Sequence, residues 1–139
     1  MANGLWASAL LSMGKATLDL DLIDLRFFAV SSAYTFTAGH DMLNDITNII
    51  SDVVAATGEA IAGISGGFNF DCNDFTLTNV TGAAAAIVGY DHNGGADSAR
   101  QLVTWHNSGG NLPTGTLAAG SIVVTVNASG VFTVTSSPS

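Results

Sequence analysis

Three histidines, one cysteine and a short acidic run are the residues of this chain whose types and spacing could do chemistry. His40, His92 and His106 stand at none of the separations that set two imidazoles on one metal. His40 precedes Asp41, and the pair reads as the start of a helix in which the carboxylate caps backbone amides. His92 falls in a turn and His106 at a strand end. Triads assemble through space, but neither a G-x-S-x-G elbow nor an H-E-x-x-H pair occurs. Cys72 is the only cysteine, so no internal disulfide can form, and its place after Phe70 reads as an inert core thiol.

Asp91-His92-Asn93-Gly94-Gly95-Ala96-Asp97 alternates oxygen donors with glycines, as loops that wrap calcium do. It has too few carboxylates and no terminal glutamate, and turn chemistry accounts for each residue. The glycines between Gly58 and Gly67 have neither the lysine nor the strand-to-helix setting of a phosphate loop. Asp19 with Asp21, and Asp71 with Asp74, are paired carboxylates that read as solvated loop charges. Asn79 and Asn127 each open a glycosylation-type triplet, a pattern frequent by chance. The expectation is a protein that is not an enzyme, with no catalytic residue, metal or cofactor.

Charge narrows the partners. Lys15, Arg26 and Arg100 oppose eleven carboxylates, for a formal net charge of -8. Three scattered cations cannot displace the counterions of a nucleic acid or hold an anionic lipid surface. Only 10% of residues are charged, so the surface must be largely Ser, Thr, Asn, Gly and Ala, which tolerates burial against a partner. No apolar run reaches the roughly 18 residues of a membrane span. The first fifteen residues have no basic residue ahead of their apolar run, so a secretory signal is a poor fit.

The elements that would position these residues follow from periodicity. With 139 residues, 47% of them hydrophobic, the chain fits one domain over 1–139, with 136–139 as a flexible tail. A helix is expected over about 4–13, capped by Asn3 and stopped at Gly14, with Leu5, Trp6, Ala9, Leu10 and Met13 on one face. A second is expected over 41–56, with Asp41 as cap and an apolar stripe from Met42 to Val54. A central strand at 22–30 puts Ile23, Leu25, Phe27 and Ala29 on one face and Asp24 and Arg26 on the other. Further strands read at 68–72, 75–80, 84–90, 101–106, 121–127 and 131–135, the last two as a hairpin about Asn127-Ala128-Ser129-Gly130. The fold class is α+β, mainly an antiparallel sheet or sandwich with two helices.

Several of these segments, in their order, resemble small structural proteins of tailed-bacteriophage virions. In the first half they are Gly14-Lys15, Ile23-Asp24-Leu25, the run from Ala29 to Thr35, and His40 with Asp45-Ile46. In the second half they are Ala86 to Tyr90, Leu102 to Trp105, Gly109 to Pro113, Gly120 to Val126, and Gly130 to Thr133. The resemblance carries no catalytic residues. With it we expect a capsid decoration, or cement, protein on the outer surface of the phage head. Its partners would be the major capsid protein and further copies of itself, without direct nucleic-acid or membrane contact. The alternative is a tail or fibre component, in which Trp105 and Tyr90 would stack on a glycan. The linker between the strands at 84–90 and 101–106 is the expected contact with a partner.

Overall fold

A computed structural model describes residues 4–107 and 120–135. In chain order the elements are β1 (Gly4–Leu5), α1 (Ala7–Gly14), β2 (Leu25–Ser31), β3 (Val54–Ala55), β4 (Ala60–Ile64), β5 (Gly67–Asp71), β6 (Phe75–Val80), β7 (Ala84–Asp91), β8 (Leu102–His106), β9 (Gly120–Val124) and β10 (Phe132–Thr135). Short 3-10 turns lie at Leu43–Asp45 and Asp97–Ala99. The fold is α+β and mostly antiparallel sheet, as expected, but among the described residues it has one α-helix rather than two.

The strands form a five-stranded sheet in the order β1-β8-β7-β2-β3, a three-stranded sheet β10-β5-β4 and a pair β6-β9. In β2 the alternation predicted an apolar face and a polar one, yet Phe27, Phe28, Ala29 and Val30 are all buried. The large sheet is covered on both sides, so only its start, at Asp24 and Arg26, keeps a polar side. On one side Phe27 stacks on Phe75 of β6 with ring centroids 4.4 Å apart. On the other, Trp105 of β8 packs among Trp6, Tyr34 and Phe36.

The segment expected to be a helix over 41–56 forms a single 3-10 turn and then runs extended along the free edge of β2. Its apolar stripe includes Ile46, Ile49, Ile50, Val53 and Val54, β-branched residues that lose rotamer freedom in a helix and pack well on a sheet. The edge of β2 supplies the competing hydrogen bonds. Ile50 N–H donates to the Ala29 carbonyl at 2.9 Å, Ser31 N–H to that of Asn48 at 3.1 Å, and Ala29 N–H to Ser51 Oγ at 2.8 Å. Asn48 takes φ 61°, a left-handed conformation that a helix interior excludes. Asp45, not Asp41, is the capping carboxylate: it accepts the Asp41 and Met42 amides at 3.0 and 3.2 Å. Those two amides hold its pKa below the usual carboxylate value.

At the N-terminus the residue entering α1 is Trp6, whose N–H donates to the Val103 carbonyl at 2.9 Å, because Gly4 and Leu5 are drawn onto β8 as a strand. The expected cap Asn3 and the expected tail at 136–139 lie outside the described residues. Of the predicted helical face, Trp6 and Ala9 are buried, whereas Leu10 is half exposed.

The turn at Asn127-Ala128-Ser129-Gly130 forms, with Gly130 N–H donating to the Asn127 carbonyl at 2.8 Å. The hairpin expected around it does not, because β9 pairs with β6 while β10 pairs with β5. Chain segments β5-β6 and β9-β10 thus run side by side as one long ribbon that changes sheet at a corner, residues 72–74 against 125–131. Gly130 sits in that corner at φ 91°, where a Cβ would strike the Phe70 carbonyl. Gly130→Ala is expected to lower stability by about 1–3 kcal/mol through backbone strain, read as a fall in the urea midpoint at unchanged slope.

Candidate interaction surface

The residues singled out for chemistry are dispersed by the fold. His40 Nδ1 lies 2.8 Å from the Tyr34 hydroxyl, beside the aromatic cluster around Trp105. His92 lies at the opposite end of the large sheet from His106, which closes β8. Cys72 is buried, and that burial together with the neighbouring carboxylates, Asp71 first, pushes its thiol up to about 12, far from a reactive thiolate. Among the described residues no group of three or more His, Cys, Asp or Glu is placed to hold a metal ion.

His92 belongs to a polar network instead. The Arg100 guanidinium, which can only donate, meets His92 Nε2 at 3.3 Å, so the ring proton belongs on Nδ1 and points to the Tyr90 hydroxyl at 3.2 Å. Arg100 also pairs with Asp97 at 3.0 Å, and Arg26 pairs with Asp24 at the same distance. Asp91 accepts the Asp24 amide at 3.3 Å, and burial raises its carboxyl above the ordinary value. In the linker that was expected to meet a partner, Asn93 Oδ1 accepts the Gly95 amide and Asn93 Nδ2 donates to the Ala99 carbonyl. The Asp91–Asp97 run is thus a hydrogen-bonded turn, exposed from Asn93 to Asp97.

Trp105 and Tyr90 do not offer their rings to a ligand. Trp105 is 5% exposed and Tyr90 2%, enclosed by Trp6, Phe36 and Phe28 among others, so the expected stacking of a glycan on them has no open face to use.

What the fold does leave open lies at β4. All five of its residues are exposed, and among the described residues its outer edge carries no strand. Its sequence, Ala60-Ile61-Ala62-Gly63-Ile64, has no charge and no proline, the residues by which edge strands discourage pairing. Opposite residues in a ladder share a face, so Ile61 lies with Phe70 and Phe132, and Gly63 with Phe68 and Val134, on the side turned to the core. That face is only partly covered. Residues 16–23 and the end of α1 lean over it, leaving a groove of about 330 Å³ walled by Met13, Leu18, Leu20, Ile61 and Phe68. A smaller hollow of about 150 Å³ continues it along Ala60, Ile61 and Phe70. Leu22, 82% exposed, stands on the covering loop. The rim is acidic, with Asp19 and Asp21 at the groove and Glu59 at its continuation.

Periodicity could not have shown this surface. Its two walls are some forty residues apart in the chain, and 60–64 reads as a small-residue stretch punctuated by glycine. One local signal was available: Ser65-Gly66 between Ile64 and Gly67 is a two-residue connection, with Gly66 at φ 77°, typical of a β-hairpin.

No family model, curated protein or solved structure matches this chain. Among the described residues no helix is long and apolar enough to cross a membrane.

Proposed function

We propose that this chain is a virion structural protein without enzymatic activity, of the decoration type, that binds the outer surface of a phage head and braces neighbouring major capsid subunits. The reading rests on the ordered sequence resemblance and on one structural observation, the open uncharged edge of β4 beside a partly uncovered apolar groove. An unpaired edge exposes backbone donors and acceptors that another chain can complete, and adjacent apolar surface adds area to the contact. On a symmetric lattice the same modest contact repeats many times, so a weak single site suffices for retention when neighbouring sites are bridged. The low density of charged side chains keeps the desolvation cost of such a contact small.

Quantitative mass spectrometry of purified particles tests the assignment. The expected result is a copy number comparable to that of the major capsid subunit or a simple fraction of it, with antibody labelling spread evenly over heads. Absence from the particle, a handful of copies, or label confined to tails would overturn it.

A further inference from the structure

We propose that the groove between β4 and residues 16–23 receives an extended, positively charged segment of another protein, added as a strand to the free edge of β4. This deepens the decoration reading and depends on it only for where that segment comes from.

Backbone geometry sets the shape of the occupant. β4 is hydrogen-bonded to β5 along one side, and among the described residues its other side has no backbone partner. A ladder with one strand missing is completed by an extended chain, whose alternate side chains fall on either face of the sheet. On the inner face such a side chain would enter the groove over Ile61, which is 40% exposed. Ala60 and Gly63 are small enough to let a neighbouring strand and its side chains approach closely.

Charge chooses between candidate occupants. A second copy of this chain would bring a formal net charge of -8 toward a rim that already holds Asp19, Asp21 and Glu59. None of the three rim carboxylates forms an ion pair among the described residues, and the two arginines are occupied by Asp24 and Asp97. Lys15 adjoins the wall but is not paired with the rim. A segment carrying Lys or Arg beside an apolar residue answers both features at once, the side chain filling the groove and the cations facing the rim. The Asp19 carboxylate is fixed at the rim, since its Oδ1 accepts the Asp21 amide at 3.0 Å.

The experiment titrates the isotope-labelled chain with two blocked hexapeptides, Thr-Lys-Val-Lys-Val-Thr and Thr-Glu-Val-Glu-Val-Thr, and follows backbone amide shifts. The lysine peptide is expected to shift amides of 19–23 and 59–64, to bind at least about tenfold more tightly than the glutamate peptide, and to weaken with added salt. Neutralising the rim with Asp19→Asn, Asp21→Asn and Glu59→Gln together should remove that preference. Ile61→Lys, at an exposed position that tolerates a long side chain, should abolish binding while the rest of the spectrum is retained. Equal binding of the two peptides, or shifts elsewhere on the surface, would overturn the proposal. So would concentration-dependent shifts of the same amides without peptide, which would mean that a second copy fills the edge. A chain abundant on virions that fails to bind the lysine peptide keeps the decoration reading and loses the groove. A chain that binds the peptide but is missing from virions does the reverse.

Discussion

Phe27→Ala is expected to cost about 3–5 kcal/mol, enough to unfold a marginally stable domain of this size. Phe27 is fully buried on β2, between β7 and the short β3, and lies almost parallel to Phe75, with an interplanar angle of 7° and centroids 4.4 Å apart. That contact joins the large sheet to the ribbon of β6 and β9. Removing the ring forfeits its transfer free energy and leaves a cavity between two sheets that cannot both collapse onto it. Gly89 sharpens the point, because it faces Phe27 across the ladder and a Cβ there would come 3.0 Å from the Phe27 ring. The Thr104 hydroxyl stands closer still, so the ring and that hydroxyl together fill the space a side chain at 89 would need. As a control, Val123→Ala removes a side chain that is 72% exposed and is expected to stay within about 0.5 kcal/mol. Urea unfolding of both variants, followed by tryptophan fluorescence, gives the comparison. A loss below about 1 kcal/mol for Phe27→Ala would show that the two sheets do not share this core.

The contrast between those two positions marks how far local pattern reaches. The strands at 68–72, 75–80, 84–90 and 101–106 were legible because alternation or an unbroken apolar run reports burial directly, and burial is what holds them. Partner choice was not legible. Val123 and Val134 lie on strands of equal regularity joined by a good turn, yet they belong to different sheets, β9 pairing with β6 and β10 with β5. The stretch from Met42 to Val54 shows the same limit in another form. Its apolar residues fit a helical stripe, but their β-branched character and the unfilled edge of β2 together favour extension. Here a tertiary hydrogen-bonding site overrode a periodicity that was present. The candidate surface was the least legible part, because a groove between β4 and residues 16–23 is a property of two distant segments and of what fails to cover them.

Acidification is expected to destabilise the fold through His106 well above the range in which its carboxylates titrate. Register places His106 opposite Ile87 in β8, on the same face as Thr104 and Phe27. It is fully buried, neither ring nitrogen has a hydrogen-bond partner among the described residues, and it lines a cleft of about 410 Å³ with Leu5, Leu10, Phe132 and Val134. Burial alone lowers its pKa from 6.5 to about 4, because the interior offers nothing to solvate an imidazolium. The unfolded chain therefore takes up a proton near pH 6.5 that the folded chain refuses until about pH 4. Stability from this residue is intact above 6.5 and falls as the pH drops through that interval, by about 3 kcal/mol in all. Asp91, whose carboxyl is raised by burial, works in the opposite sense, but it starts from a carboxylate value and acts only at the acid end. His106→Leu removes both the proton and two unsatisfied buried nitrogens in exchange for an apolar group of similar size. It should match or exceed the parent at pH 7 and surpass it by about 2 kcal/mol at pH 5. Thermal or urea unfolding of the two chains at pH 7.5, 6 and 5 reads the divergence directly. Parallel loss of stability in both over that range would place the acid sensitivity elsewhere and give His106 a partner when protonated.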